Sequence, residues 1–311
     1  MSRTKRYKTA VVGVGNMGKN HLKILSEIPG IEIVAISDLN HKLIDFLAKK
    51  YRMNAYLDFE EMLKREKPEI VSICVPTSKH YEVAKACIQR NVNVLLEKPI
   101  TDDIEQAQEL LDLAKERSIK FLIGYTERFN PMVKKIKEII GQGKLGRIVA
   151  IIARRVGTFP PQVRDAGVSI DLAIHDIDIC NYLLGELPVE VKKNGQKNLT
   201  KDREDSVEFF LRYNSGASAY IQANWITPVK IRKLIITGER GYLEADYISQ
   251  EIKLYENRRA GKTSEVKIVS VEKGIIGETT VNSPFLISFK ISQTSFSLSL
   301  TIFMYVLLRS S

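Results

Sequence analysis

Asp171 and His175 are four residues apart in a mostly apolar segment. This spacing predicts two side chains on the same face of a helix, one turn apart. Histidine is well suited to accept a proton from a hydroxyl near neutral pH, and a nearby carboxylate can set its proton affinity. Since an alcohol that loses a hydride must also lose its hydroxyl proton, the pair fits alcohol oxidation. The alternative is a core histidine satisfied by a neighbouring aspartate.

Lys98 lies in the motif Glu97-Lys98-Pro99, directly after the apolar run Asn93-Val-Leu-Leu96. An open parallel sheet binds its ligand at the carboxyl ends of its strands, which is where this motif would lie. The proline disfavours a helical conformation for Lys98. We therefore expect Lys98 to face a cofactor cleft and to act with Asp171 in orienting a substrate hydroxyl. The alternative is a solvated surface lysine.

The segment Gly13-Val-Gly-Asn-Met-Gly18 follows the apolar run Thr9-Ala-Val-Val12 and predicts a turn that binds a dinucleotide. Its glycines permit a tight turn, close approach of the backbone to a pyrophosphate, and close packing of helix on strand. Asp38 follows twenty residues later, where a carboxylate accepts ribose hydroxyls and repels a 2′-phosphate. The pattern favours NAD over NADP. The alternative is that Asp38 only caps a helix beginning near His41.

Three further segments supply polar residues that we expect beside the cofactor or the substrate. Two follow predicted strands, and the third contains three arginines around a Pro-Pro turn. The planar fork of arginine suits phosphate oxygens, so this third segment predicts a substrate with a diphosphate, the alternative being a solvated basic loop. The expected cofactor-binding residues are Gly13, Gly15, Asn16, Met17, Gly18, Asp38, Pro76, Thr77, His80, Glu97, Lys98 and Arg128. The expected substrate-binding residues are Asn130, Arg154, Arg155 and Arg164.

Short apolar runs alternate with helical patterns up to residue 124, which is typical of parallel strands joined by crossover helices. The chemistry described above would thus be positioned by an α/β, doubly wound parallel sheet. The predicted strands are near residues 9–13, 33–38, 70–75, 93–96 and 121–123. The predicted helices are near 17–27, 41–51, 59–65, 79–90 and 103–117.

After residue 130 the pattern changes to one helix, a long strand over 147–155, a buried helix over 168–184 and then consecutive strands. These last strands, near 205–213, 217–225, 231–237 and 241–247, follow one another at hairpin distances. We expect an α+β domain with a mostly antiparallel, open-faced sheet. The predicted domains are 1–124 for NAD, 125–281 for substrate and oligomerisation, and an atypical tail over 282–311.

The composition is that of a soluble globular protein, with 311 residues, 44% hydrophobic and 27% charged. The three cysteines are far apart and form neither a disulfide framework nor a zinc motif, so we expect a reduced, cytoplasmic compartment and no metal. The net charge of +10 is spread over helix faces, which favours a solvated basic surface over nucleic-acid binding. The apolar part of the tail, over 300–308, is too short to span a membrane.

Together, the glycine turn, Asp38, the Glu97-Lys98-Pro99 motif and the segment from Asp171 to His175 resemble the glucose-fructose oxidoreductase and inositol dehydrogenase family over residues 7–280. The resemblance implies a Rossmann domain that binds NAD, an open-faced sheet often used for oligomerisation, and a catalytic set of Lys98, Asp171 and His175. We expect a homo-oligomer, a dimer or a tetramer.

Within the family, the segments Arg155-Val-Gly-Thr-Phe-Pro-Pro and 171–178 look most like those of members that oxidise the 3-hydroxyl of UDP-N-acetylglucosamine to a ketone. The alternatives are an inositol or simple sugar dehydrogenase, and a regulator that binds NAD without turnover. The tail departs from the acidic amphipathic helix usual in the family. We hypothesise a frameshift or a truncated gene model there.

Overall fold

The computed structural model describes residues 6–159, 166–256 and 265–270. Within these residues the chain divides after Tyr125 into two compact units. Arg164 and the tail over 282–311 lie outside the described residues. No helix in the described part of the chain is both long enough and apolar enough to cross a membrane.

The first unit is a six-stranded parallel sheet with the strand order β3-β2-β1-β4-β5-β6, which confirms the doubly wound fold. Its strands are β1 (Tyr7–Val12), β2 (Ile31–Ser37), β3 (Asn54–Tyr56), β4 (Ile70–Ile73), β5 (Asn93–Leu96) and β6 (Phe121–Ile123). Its helices are α1 (Asn16–Glu27), α2 (His41–Tyr51), α3 (Phe59–Glu66), α4 (His80–Gln89) and α5 (Ile104–Glu116). The direction of chain progression reverses between β1 and β4, so their carboxyl ends flank a crevice suited to a ligand.

Short polar side chains determine where three of these helices begin. Asn40 accepts a hydrogen bond from Leu43 N at the start of α2, and Asp58 and Asp103 cap α3 and α5 in the same way. Because Asn40 is the cap of α2, the alternative role of Asp38 as the cap of that helix is wrong.

Among the described residues, the second unit contains an eight-stranded sheet in the order β14-β13-β12-β11-β7-β10-β9-β8, with two α-helices. Its elements are α6 (Pro131–Gly141), β7 (Ile148–Thr158), α7 (Ile174–Leu184), β8 (Pro188–Gln196), β9 (Ser206–Tyr213), β10 (Ser218–Asn224), β11 (Ile226–Gly238), β12 (Gly241–Asp246), β13 (Glu251–Glu256) and β14 (Glu265–Ser270). The sheet is mostly antiparallel, as predicted.

Strand β7 separates two runs of consecutive antiparallel strands in this sheet. It pairs parallel with β10 and antiparallel with β11, so the sheet is not built from neighbours in sequence throughout. Val149 and Ile152 on β7, with Phe210 and Tyr220 on β9 and β10, are exposed apolar residues on these strands. The sheet therefore has an open face, as expected.

Helix α7 is almost entirely buried, in keeping with its isoleucines and leucines. It ends at Gly185, whose φ of +74° is a left-handed conformation that glycine adopts without a steric cost. A π-helical turn over Ser169–Ala173 precedes it, and Ile174 N donates to the carbonyl of Ser169 there. Asp171 lies within this wider turn, which the sequence spacing did not predict. Such turns occur frequently at functional sites.

Candidate active site

Gly13 and Gly18 close the turn between β1 and α1 by backbone contacts. Gly13 has a φ of +83°, and a Cβ atom there would lie 2.7 Å from the carbonyl oxygen of Cys74. A Cβ on Gly18 would lie 1.9 Å from the carbonyl oxygen of Gly13. Both positions therefore exclude every larger residue, for the structural reasons that the sequence pattern predicted.

Gly15 differs from the other two glycines because a Cβ atom there would have no neighbour within 4 Å. It is the N-cap of α1, and no side chain of the described residues accepts a hydrogen bond from this helix start. Asn16 and Met17 in the first turn are exposed. An uncapped helix N-terminus beside open space is suited to a phosphate group.

Asp38 connects the end of β2 to the glycine turn. Its Oδ2 accepts a hydrogen bond from Val14 N at 2.8 Å, and its Oδ1 accepts one from Asn40 N at 2.9 Å. An ionised carboxylate has about four acceptor positions, so these two bonds leave capacity for ribose hydroxyls. The turn and the carboxylate are thus held in one arrangement that can accept a dinucleotide.

His21 on α1 is a buried residue that the sequence interpretation missed. Its Nδ1 lies 2.8 Å from Ser72 Oγ, and its Nε2 lies 3.0 Å from Glu97 Oε1. Burial alone would lower the pKa of His21, but contacts with Cys74 and Glu97 outweigh it and raise the pKa to about 10. The available signal was the four-residue spacing to Leu25, which places His21 on the buried face of α1.

His80 and Glu97 hold the backbone on either side of Lys98. His80 is buried, and its two ring nitrogens lie 2.7 Å from Pro99 O and 3.0 Å from Val75 O. Glu97 Oε2 accepts a hydrogen bond from Lys98 N at 3.3 Å. The ring of His80 therefore positions this segment, whereas Lys98 itself is partly exposed. Nearby, Pro76 is exposed and Thr77 begins a short 3₁₀ turn.

Asp171 and His175 are partly exposed residues of a helical segment in the second unit, as are Ile170 and Leu172 on either side of Asp171. Ala173, Ile174, Asp176 and the residues up to Asn181 are buried, whereas Asp171 and His175 retain access to solvent. Their exposure is consistent with contact with a ligand.

Two arginines expected to contact ligands form ion pairs with carboxylates of α7 instead. Arg155 donates two hydrogen bonds of 2.9 Å to the carboxylate of Asp176, and Arg128 donates bonds of 2.7 and 2.5 Å to that of Asp178. Burial disfavours the charge of Arg155, yet the contact with Asp176 raises its pKa further above the ordinary value. Burial raises the pKa of Asp178, although Arg128 opposes the shift.

Arg154 and Asn130, which were also expected to bind the substrate, lie in two different environments. Arg154 is within β7, next to Arg155, so its side chain is on the opposite face of the sheet and is exposed. The two side chains therefore do not converge on one ligand, contrary to the diphosphate site that the sequence suggested. Asn130 is buried and caps α6, because its Oδ1 accepts a hydrogen bond from Met132 N at 3.0 Å.

Lys137 on α6 stabilises the other end of α7. Its Nζ donates to the carbonyl oxygens of Tyr182 at 2.5 Å and of Leu183 at 3.0 Å. A cation beside the last carbonyls of a helix is favourable for both hydrogen bonding and the helix dipole. Burial lowers the pKa of Lys137, and Arg128 adds to this effect.

Both units match sequence profiles of one protein family. Residues 7–125 match the NAD-binding Rossmann domain of the GFO/IDH/MocA oxidoreductases, and residues 133–244 match the C-terminal domain of the same proteins. These matches cover the glycine turn, Lys98, Asp171 and His175.

The chain is also similar in sequence to individual dehydrogenases. The UDP-N-acetylglucosamine 3-dehydrogenase of Acidithiobacillus ferrooxidans is 30% identical over 82% of this chain and 78% of its own length. The myo-inositol 2-dehydrogenase of Thermotoga maritima is 27% identical over 78% of this chain and 76% of its own. A solved structure of the Acidithiobacillus enzyme aligns with a TM-score of 0.77 and 28% identity, over 86% of this chain and 84% of the other.

Proposed function

The chain belongs to the GFO/IDH/MocA family of NAD-binding oxidoreductases, and on that premise we propose that it oxidises the 3-hydroxyl of UDP-N-acetylglucosamine to a ketone. In this proposal residues 1–124 bind the cofactor, NAD, and residues 125–281 bind the sugar.

The fit of NAD is supported by Gly15, which faces open space at an uncapped helix N-terminus, and by Asp38. The backbone N–H groups of the first turn of α1 would bind the pyrophosphate, and the Asp38 carboxylate would accept the ribose hydroxyls. A 2′-phosphate would meet the negative charge of Asp38, which disfavours NADP. Bound NAD supplies the acceptor for the hydride that leaves the sugar carbon.

We assign the proton chemistry to His175, Asp171 and Lys98. His175 accepts the hydroxyl proton as the carbon–hydrogen bond breaks, so the sugar carbon becomes a ketone and no cationic carbon accumulates. Asp171 orients the imidazole and stabilises it once it is protonated. Lys98 donates a hydrogen bond to the sugar oxygen, which stabilises negative charge as the proton leaves.

The observation that carries the dehydrogenase proposal is the partial exposure of His175 between the buried residues Ile174 and Asp176, four residues after the partly exposed Asp171. The choice of sugar is supported by the similarity to the Acidithiobacillus enzyme. The similarity to an inositol dehydrogenase supports a second candidate, oxidation of inositol or a simple sugar.

A substrate panel tests the proposal. The purified protein is incubated with NAD and, separately, with UDP-N-acetylglucosamine, other UDP-sugars, free N-acetylglucosamine and myo-inositol. We expect absorbance of the reduced cofactor and a product lighter by two hydrogens with UDP-N-acetylglucosamine. Faster turnover of inositol would favour the second candidate. NAD binding without turnover of any substrate would favour a regulator.

We also propose a homo-oligomer, a dimer or tetramer, assembled through the open face of the second sheet. The exposed apolar residues of β7, β9 and β10 support it. Light scattering of Ile152→Glu, compared with the parent protein, tests this assembly, since a charge on the face should separate the subunits. We propose the cytoplasm as its compartment, which agrees with three free cysteines.

A further inference from the structure

Arg203, Phe159 and Trp225 form a cluster in the second unit that the catalytic assignment does not use. The guanidinium carbon of Arg203 lies 6.0 Å from the centre of the Phe159 ring. The rings of Phe159 and Trp225 meet edge to face, with their centres 5.2 Å apart. One phenyl ring thus links a cationic side chain to a buried indole.

Three nitrogen donors in this cluster are buried. Among the described residues, no acceptor lies within hydrogen-bonding distance of Arg203 Nε, Arg203 Nη1 or Trp225 Nε1. Leaving a buried donor unsatisfied is costly, and the cost is greater for a charged group. All three atoms can only donate, so a group rich in acceptor oxygens would satisfy them.

The acidic residues that follow Arg203 in sequence bond to other groups. Glu204 lies 2.7 Å from Lys193 Nζ through Oε1 and accepts a 2.7 Å hydrogen bond from Ser169 Oγ through Oε2. The buried carboxylate of Asp205 accepts hydrogen bonds from the backbone N–H groups of residues 198–200. Neither of these two carboxylates forms an ion pair with Arg203 in these contacts.

The cluster is attached to the segment that carries the catalytic residues. Val168 N donates to Glu204 O at 2.9 Å, and a Cβ atom on Gly167 would lie 3.9 Å from Arg203 Cβ. His175 is eight residues after Gly167, which at a helical rise of about 1.5 Å per residue is a distance of about 12 Å along the axis. A ligand that extends from His175 to Arg203 would therefore be longer than one sugar ring.

We propose that Arg203, together with the indole N–H of Trp225, binds the diphosphate of a nucleotide-sugar substrate. The inference rests on the proposed function, and it identifies the residues that would bind the phosphate-bearing part of the substrate. Arg203 takes the role that the sequence assigned to the segment with Arg154, Arg155 and Arg164, of which Arg154 and Arg155 lie on opposite faces of a strand.

The test compares Arg203→Gln and Arg203→Lys with the parent protein. Arg212→Gln is the matched control, since Arg212 is an exposed arginine of the same unit paired with Glu190. Binding of UDP, inorganic pyrophosphate and NAD is measured by calorimetry, and KM for UDP-N-acetylglucosamine by cofactor reduction. Thermal unfolding verifies that each variant is folded.

We expect Arg203→Gln to weaken UDP and pyrophosphate binding, and to raise KM, by about tenfold or more. The affinity of Arg203→Lys for UDP and pyrophosphate, and its KM, should lie between those of Arg203→Gln and the parent. Lysine keeps the positive charge but lacks the planar, forked donor group of arginine. NAD binding should be unchanged in all variants. Arg212→Gln should match the parent throughout.

Two outcomes separate this inference from the proposed function. If UDP-N-acetylglucosamine is oxidised and Arg203→Gln leaves KM unchanged, the inference fails and the function stands. If no UDP-sugar is oxidised but Arg203→Gln abolishes UDP binding, the function fails and the anion site stands. A parent protein that binds neither UDP nor pyrophosphate would overturn the inference.

Discussion

His21 Nε2 and Glu97 Oε1 lie 3.0 Å apart in the interior of the first unit. The contact joins α1, which begins at the glycine turn, to the segment that carries Lys98. Glu97 also accepts a hydrogen bond from Lys98 N. The pair therefore connects the backbone expected to bind the cofactor with the lysine expected to contact the substrate oxygen.

Stability should depend on pH through His21. Its pKa is raised from 6.5 to about 10 in the folded protein, mainly because contacts with Cys74 and Glu97 outweigh burial. The folded state therefore binds the proton more tightly, and this contribution is complete below pH 6.5 and is lost as pH rises through 10. We expect the free energy of unfolding, measured by urea denaturation, to fall as the pH rises over that range. In His21→Gln the free energy of unfolding should fall less steeply with pH. An identical slope in both proteins would contradict the assignment.

Gly15→Ala should reduce NAD binding without reducing stability. Its Cβ atom would enter open space in the protein, so folding should tolerate it, but it would occupy the approach of a pyrophosphate. Gly141→Ala is the matched control, because that glycine also has no neighbour within 4 Å and lies at the end of α6. Calorimetric titration with NAD and thermal unfolding measure the two effects. Equal NAD affinity in both variants would argue against phosphate binding at this turn.

Asp38→Ser should shift cofactor preference towards NADP. Removing the carboxylate removes the acceptor for ribose hydroxyls and the charge that repels a 2′-phosphate. We expect the ratio of kcat/KM for NAD over NADP to fall by about tenfold or more. Asp45→Asn, an exposed change on α2, serves as the control. A ratio that stays at the parent value would exclude Asp38 as the determinant.

His175→Asn should lower kcat by about 10²–10⁴-fold, the range typical of a general base. NAD affinity should be retained, since the substitution removes proton transfer and leaves the cofactor residues intact. The acidic limb of the pH profile of kcat/KM should also disappear. Stopped-flow reduction of NAD across pH measures both effects, and a variant with parental kcat would rule out the base.

Arg155→Met should destabilise the second unit by about 3–5 kcal/mol, because it leaves the buried carboxylate of Asp176 unpaired. The double variant Arg155→Met with Asp176→Leu should recover part of this loss. Arg212→Gln, which breaks an exposed pair, should leave the stability close to that of the parent. Urea denaturation measures all three. A large rise in substrate KM with unchanged stability would instead indicate a direct contact with substrate.

The sequence predicted the first unit well, because buried parallel strands and amphipathic helices have clear apolar periodicities. It missed β3, β8, β13 and β14. β3 has only three residues, and β8 carries lysines and polar residues that interrupt the alternation. The candidate site was predicted unevenly. A local motif identifies Gly13 and Asp38, whereas the partner of Arg155 is 21 residues away and only the fold reveals it. Arg203 belongs to no motif, and its lack of an acceptor among the described residues becomes visible only in the folded structure.

The two ion pairs of α7 have a consequence for enzyme engineering. Asp176 and Asp178 are two residues apart, so their side chains leave the helix in nearly opposite directions, and each is held by an arginine from a different part of the chain. Rotation or sliding of α7 would stretch one pair or both. Attempts to accommodate a new sugar by displacing this helix should therefore fail, whereas replacing side chains around a stationary His175 leaves its support intact.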